Sequence, residues 1–467
     1  MQLLSDVIIV GGGVGGLLTA MLLADDGHEV TVLERDPAGP PDPAESWDSW
    51  PRRGVTQFRL PHFLLPAFRA TAEKELPRVV ESFEAAGAYR FNALSKFTRG
   101  AMTEPRFEVL TARRPILESV VARAAQEAPG LTIRRGCAVD SLISAPEREG
   151  VPHVKGVTTQ GGEKIGADLV VDCGGRRSAL GRWLDGIGAA PLVEEKEDSG
   201  VVYYGYHVRT ADGSPFPLGP GVTSAGSVGL LALPADDGTA GIGIIPWGGD
   251  APMRALRHEG PWRAVAKLIP GGETVLDAEQ ISPLVSMASL DDRWHRLSVD
   301  GVPLATGIVA VGDALASTNP TAGRGISLGL RHSVALRDAM REHGDHPRQL
   351  AERFDAVTEE QFTPWYRASI WSDRHRIAAV QAEVQGTSYE PDPEWRQWTR
   401  VNQLPFADVA FLPDILDCGM NLKRLPSDLL ADDRIQEGLA THPAPPPQPD
   451  DASGPTRAQL LEAISTA

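Results

Sequence analysis

The amino-acid sequence predicts an α/β fold, with a Rossmann-like parallel sheet at its centre, a second sheet inserted into it and a helical region near the end. Three observations carry that expectation. An apolar β-rich run, a glycine turn and a helical pattern open the chain, and a second strand-then-glycine segment lies at residues 307–330. Strand-like runs dominate residues 131–171 and 201–246, and beyond residue 341 the pattern is helical and rich in charge and Trp. At 467 residues the chain has room for about three domains of about 150 residues each.

Composition excludes several classes. Lys and Arg number 45 against 62 Asp and Glu, a net charge of −17. That balance is a poor match to nucleic-acid backbones or anionic lipid. The cysteines Cys137, Cys173 and Cys418 lie far apart with no CxxC pair. A zinc ribbon, a thiol–disulfide centre and a disulfide scaffold are therefore not expected, and a cytoplasmic location is. The histidines show no HExxH-type spacing, so no metal is expected.

Taken in order, the chain predicts a strand over 6–10, a glycine turn, a helix to about residue 24 and a strand over 29–34, the pattern of a right-handed βαβ unit. Residues 7–24 carry no charge, a length that raises the question of a membrane span. Five glycines between Gly11 and Gly16 argue against one, and the start MQLLSD lacks the basic stretch of a signal peptide. A Pro-rich loop follows at 36–47, helical patterns run over 64–86, and PILESVVARAAQEA begins a helix at Pro115. The compact run GIVAVGD at 307–313 reads as a strand ending in an acid, with a helix from about Gly325. Near the end, HPAPPPQP at 442–449 reads as a stiff linker before a short amphipathic piece, TRAQLLEAIS.

Chemistry concentrates in the glycine-rich turns. Gly11, Gly13 and Gly16 fit GxGxxG between a strand and a helix. The first glycine allows the tight turn, the second lets backbone approach a pyrophosphate, and the third lets helix and strand pack closely. The helix start offers free N–H groups and positive dipole to phosphates. Glu34 closes the second strand, where an acid would bind ribose hydroxyls.

The segment GIVAVGDALASTNPTAGRGISLGL, residues 307–330, resembles the second flavin fingerprint of FAD-dependent monooxygenases of the aromatic-hydroxylase (group A) superfamily. On that resemblance Gly312 and Asp313 match the Gly-Asp pair whose acid holds ribityl or ribose hydroxyls. Pro320, Gly323 and Gly325 match the loop that passes the flavin ring. A Pro-then-Gly turn opening a helix can aim N–H groups at the ring's pyrimidine edge, stabilising anionic reduced flavin. In ADLVVDCGGRRSAL, residues 167–180, Gly174 stands where many family members carry the Asp of Asp-Gly-x-x-Ser. DCGGRRS is similar to the Asp-Ala-x-Gly-Arg-x-Ser form of polyether epoxidases and related natural-product tailoring oxygenases. Asp172 is then expected to do structural work, and Cys173 to be a small buried residue. RRGVTQFRLPHFLL resembles an epoxidase-like segment, which makes Arg52, Gln57 and His62 flavin-side candidates, with Thr56 in place of the usual Pro. ARRPILESV resembles the family's Arg-x-x-Leu helix start and makes Arg114 a pyrophosphate or ribose contact.

The resemblance implies a GR2-type flavoprotein with a discontinuous FAD-binding domain. Residues 1–75, 100–180 and 295–345 would form that domain, and 76–99 with 181–294 an inserted mixed β-sheet substrate domain. Residues 346–440 would form a helical region bracing the back, and 441–467 the linker and tail. It implies tight, noncovalent FAD, and chemistry carried on the flavin near Gln57, His62 and Pro320: dioxygen adds to reduced FAD, and the hydroperoxide passes one oxygen to an electron-rich arene or alkene. A small hydrophobic organic substrate is implied. Electrons would come from NAD(P)H, or from a partner flavin reductase as reduced flavin. A reductase or dehydrogenase of the same fold, a nicotinamide-only dehydrogenase and a non-catalytic flavin carrier stay open. Halogenases of this fold carry Trp-x-Trp-x-Ile-Pro where this chain has GIGIIP at 241–246. Tyr203, Tyr204 and Tyr206 alternate in a strand-like run; some are expected to face a pocket, though core packing is the commoner fate. Asp291 and Asp292 read as a loop or helix cap.

Overall fold

The computed structural model describes residues 5–148, 150–219, 221–288, 290–442 and 454–467. Its centre is a five-stranded parallel sheet in the spatial order Ile308–Ala310, Leu169–Asp172, Asp6–Val10, Glu29–Glu34, Leu131–Arg135. Both faces are covered, and the strands Asp6–Val10, Leu169–Asp172 and Ile308–Ala310 are nearly continuous apolar runs. Alternation along each strand divides them between two cores. Val7, Ile9, Val30, Val32 and Val171 face the helices Val14–Asp25, Arg114–Gln126 and Gly325–His343. Ile8, Val10, Leu33 and Val170 face Trp183, Leu184 and Trp294 on the other side.

A larger antiparallel sheet runs in the order Gly221–Ala225, Val228–Pro234, Thr239–Pro246, Tyr203–Arg209, Glu279–Gln280. One face packs Tyr204, Tyr206, Leu230, Ile242 and Ile244 against the helix Glu259–Leu268. Its other face carries Tyr203, Leu231 and Ile245. The period of two thus sends Tyr204 and Tyr206 into a closed core and Tyr203 to the opposite side. Segment 76–99 divides in its packing. Val79, Val80 and Phe83 join the core of the parallel sheet, while Tyr89–Asn92 pairs with Glu108–Thr111.

Two expectations need correcting. Asp291 and Asp292 are neither loop nor cap but the start of a strand, Asp291–Arg296, paired in register with Val193–Asp198. The acidic dipeptide hid a strand whose inward side is defined by Trp294, 1% exposed. The helical region does more than brace the back, because Phe362, Tyr366, Leu416 and Met420 from it line the central cavity. The linker lies outside the described residues from 443 to 449. Beyond it the helix Arg457–Thr466 buries Leu460 against the inserted sheet's core, and Arg457 pairs with Asp250. Among the described residues no helix is long and apolar enough to cross a membrane.

Candidate flavin and substrate site

One cavity of about 1080 Å³ runs between the two sheets, at the upper end of the range for small-molecule sites. Its floor is formed at the carboxyl ends of the strands Asp6–Val10, Leu169–Asp172 and Ile308–Ala310, where parallel α/β sheets bind ligands. Gly11, Gly13, Gly16, Glu34, Arg52, Arg114, Gly312, Asp313, Pro320, Gly323 and Gly325 all line it, as do Gln57 and His62.

The three motif glycines have three separate reasons. Gly11 has φ +108°, donates its N–H to the Leu33 carbonyl at 2.9 Å, and leaves only 2.6 Å between a would-be Cβ and the Cys173 carbonyl oxygen. A Cβ on Gly16 would stand 2.0 Å from the Gly11 oxygen. At Gly13 a Cβ would meet nothing within 4 Å among the described residues. The open glycine is the one at the helix start, where a pyrophosphate needs the approach.

Glu34 is buried beneath this turn. Its Oε2 accepts the Gly12 N–H at 2.8 Å and its Oε1 the Asp36 N–H at 2.8 Å. Arg52 lies with it: the guanidinium is 3.5 Å from Glu34 and 3.4 Å from Glu118, and it donates to the Gly12 carbonyl at 3.1 Å. Arg52 therefore stands at the glycine turn and holds it. Arg114 opens its helix with Nε on Glu118 at 2.8 Å.

The second fingerprint closes the opposite side. Gly312 has φ +61° and donates its N–H to His332 Nδ1 at 3.3 Å. Burial holds the His332 imidazole neutral, pushing its pKa down to about 3. The Asp313 side chain is 39% exposed, with Arg176 Nε at 3.8 Å. A Cβ on Gly325 would stand 3.7 Å from its Oδ1, so the acid and the start of the helix Gly325–His343 adjoin. Between them runs the short turn Pro320–Ala322, capped by the Asn319 side chain, which accepts the Thr321 N–H at 2.9 Å. Gly323 follows at φ +65°.

Asp172 is structural, as its position predicts. It is fully buried, accepts the Gly174 N–H at 2.8 Å, and accepts a hydrogen bond from the Ser178 hydroxyl. Burial still outweighs those two bonds and pushes its pKa up to about 6. A Cβ at Gly174 would come to 2.9 Å from Asp172 Oδ1, so a side chain there would crowd the buried carboxyl. Burial and the neighbouring Asp172 push the Cys173 thiol well above its ordinary pKa. Arg176 donates to the Thr318 carbonyl, tying this turn to the other fingerprint.

The chain matches the FAD dependent oxidoreductase family model over residues 6–50. Kynurenine 3-monooxygenase of Salinispora tropica is 26% identical over 371 residues, covering 74% of each chain. Among solved structures the fold matches PqsL, a probable FAD-dependent monooxygenase from Pseudomonas aeruginosa, with TM-score 0.58 and 16% identity over 81% of this chain and 96% of that one. It also matches CmlS, a flavin-dependent halogenase, with TM-score 0.61 and 16% identity over 94% and 77%. In sequence the chain is thus similar to FAD-dependent oxidoreductases and a kynurenine 3-monooxygenase, and in fold to FAD-dependent monooxygenases and halogenases.

Beyond the turn at Pro320 the cavity becomes apolar. Leu65, Leu231, Leu233, Met287, Leu416 and Met420 line it, and the lining residues drawn from 221–233, 286–290 and 415–420 carry no charge. Phe97 and Val222, 45% and 44% exposed, also line it and reach solvent. Polar lining near the turn comes from Gln57, His62, Tyr203 and Thr321. Burial, with Arg114 nearby, pushes the His62 pKa down to about 3, so the ring is neutral. Tyr203 is the one tyrosine of its trio among the lining residues. Asn319 and His332 went unnoticed in the sequence. The Asn-Pro dipeptide at 319–320 is a turn signal that could have drawn attention to the first.

Proposed function

We propose that the enzyme transfers one oxygen atom from dioxygen to an electron-rich arene or alkene of an uncharged, apolar substrate, as hydroxylation or epoxidation in natural-product tailoring. The apolar, uncharged chamber beside the turn at Pro320 is the observation that carries this reading. Bound FAD supplies the redox and oxygen-activating chemistry. The protein's part is to hold, orient and keep dry. The N–H groups at Gly13 and Val14 would take the pyrophosphate, and Asp313 the sugar hydroxyls. The backbone around Gly323–Gly325, at the positive end of a 19-residue helix, would face the ring's pyrimidine edge and stabilise negative charge there. The apolar walls exclude water, which would otherwise divert activated oxygen to peroxide. His62, being neutral, can accept or donate one hydrogen bond near the ring without adding charge.

Halogenase chemistry is the weaker reading. A Cβ on Gly241 would stand 2.7 Å from Pro61 Cα, so an indole at that place has no room. Gly174 brings no acid to couple a nicotinamide, so slow direct reduction by NADH or NADPH and a need for a partner flavin reductase form part of the proposal. Oxygen uptake by photoreduced enzyme under air, screened with uncharged aromatic and alkene compounds, is the test. Substrate-dependent uptake with a product heavier by one oxygen atom is expected. Alkene reduction without oxygen consumption would replace oxygenase with reductase. Stopped-flow bleaching by NADPH alone, lost in Arg176→Ala or Arg177→Ala, would remove the partner reductase.

A further inference from the structure

Beside the turn at Pro320 two acids from distant segments meet at Asn319. Asp292 comes from the strand Asp291–Arg296 and is 1% exposed; Asp373 comes from the helix Thr363–Gln385 and is 7% exposed. Both grip Asn319. Asp292 Oδ1 accepts the Asn319 backbone N–H at 2.6 Å, and Asp373 Oδ1 accepts its side-chain amide at 2.8 Å. The third polar group of Asn319, its Oδ1, caps Thr321. The residue immediately before Pro320 is thus held at three points, two of them carboxyl oxygens.

The remaining oxygens, Asp292 Oδ2 and Asp373 Oδ2, are both buried and accept no hydrogen bond from the described residues. Two ionised carboxylates in that position would repel each other without solvent to screen them. One proton between them resolves both problems, since it satisfies the two orphaned oxygens and leaves a single charge. We propose that Asp292 and Asp373 are a proton-sharing carboxyl pair that positions Asn319, and through it the turn that carries the flavin ring. The residual charge faces Arg376, 3.2 Å from Asp373, Arg176 across the turn, and the buried Arg324 just before the helix Gly325–His343. The hydroxyls of Tyr203 and Tyr366 approach from the sheet and the helix. Glu197 stands opposite Asp292 in the strand register, but Arg374 engages it at 2.7 Å.

Burial, and then the Asp373 charge, push the Asp292 pKa up to about 7, and burial likewise raises that of Asp373. A raised acid holds its proton below that value and releases it above. At acidic pH the shared proton joins the two acids that hold Asn319; as pH rises through about 7 it is lost, and the repelling carboxylates pull the Asn319 grip out of shape. This inference rests on the turn at Pro320 meeting FAD, so two measurements separate the ideas. Difference infrared spectroscopy of the apoprotein across pH should show a protonated carboxylic acid that disappears near neutrality and is missing in Asp292→Asn. FAD titration of the wild type should weaken by roughly tenfold between acidic and alkaline pH as the pair ionises. Asp292→Asn can still accept the Asn319 N–H and donate to Asp373, so its FAD affinity should be flat with pH. Asp373→Asn is the second neutral mimic and should flatten it too, whereas Asp292→Ala should weaken FAD at every pH. A wild-type affinity independent of pH, or no titrating carboxylic acid, overturns the pair and leaves the flavin reading intact. Absence of FAD binding overturns the flavin reading, and the infrared result still decides the pair.

Discussion

The two ends of the cavity are built by opposite means. At the nucleotide end, short turns after parallel strands offer backbone N–H groups, and side chains are absent where a ligand must come close. At the end proposed for the substrate, apolar side chains from distant segments enclose most of the space. The first design needs particular residues at fixed spacing. The second needs only apolar bulk of the right total volume, which many sequences supply. Damage at the two ends should therefore read out differently.

The sharpest contrast lies within one motif. Gly16→Val places carbon where the Gly11 oxygen already sits, 2.0 Å away. The variant should fail to fold, or lose several kcal/mol, on the order of the larger single-substitution effects known. Gly13→Val points into open cavity, so circular dichroism and thermal melting should match the wild type. FAD affinity should nevertheless fall by about a hundredfold or more, about 2.7 kcal/mol, because the new methyls occupy the pyrophosphate's approach. A yellow Gly13→Val protein would break the assignment of this end to phosphate.

This division also explains what could be read beforehand. The βαβ unit, the glycine turns, the strand-end position of Asp313 and the structural role of Asp172 are legible because local backbone geometry dictates their residue types. The contacts of Arg52 with Glu34 and Glu118, which brace the glycine turn, are not legible in the sequence, because a guanidinium's partner depends on tertiary packing. Asp292 looked like a cap because its partner, Asp373, lies 81 positions away. The cavity walls at Leu231, Met287 and Leu416 were invisible for the same reason, since apolar residues in strands and helices look alike whether they face a core or a substrate.

Asp313 lies between the extremes: its position is fixed by sequence, yet its carboxylate is 39% exposed toward the cavity. Little in the protein depends on it, so Asp313→Ala should leave the melting temperature within a degree or two. FAD affinity should drop by roughly tenfold, from sugar hydroxyls left without an acceptor at about 1–3 kcal/mol. An unchanged FAD affinity in the folded variant would move the sugar contact elsewhere and erase the contrast with Gly13.

The smallest effect on the cofactor belongs to the far end. Met287 lines the chamber without belonging to either glycine segment, and it is only partly buried against the cluster of Tyr203, Leu231 and Leu290. Met287→Ala removes flexible apolar bulk from a wall that substrate or water must fill. FAD affinity and reduction should stay within about twofold of the wild type, because no phosphate, sugar or ring contact is altered. Coupling should change instead: each turnover should release more hydrogen peroxide and less oxygenated product, since water reaches the activated oxygen more easily. Measuring oxygen uptake and peroxide together in one reaction gives the ratio directly. If Met287→Ala weakens FAD as much as Asp313→Ala does, the two ends are not separable, and the chamber must be assigned to the cofactor instead of the substrate.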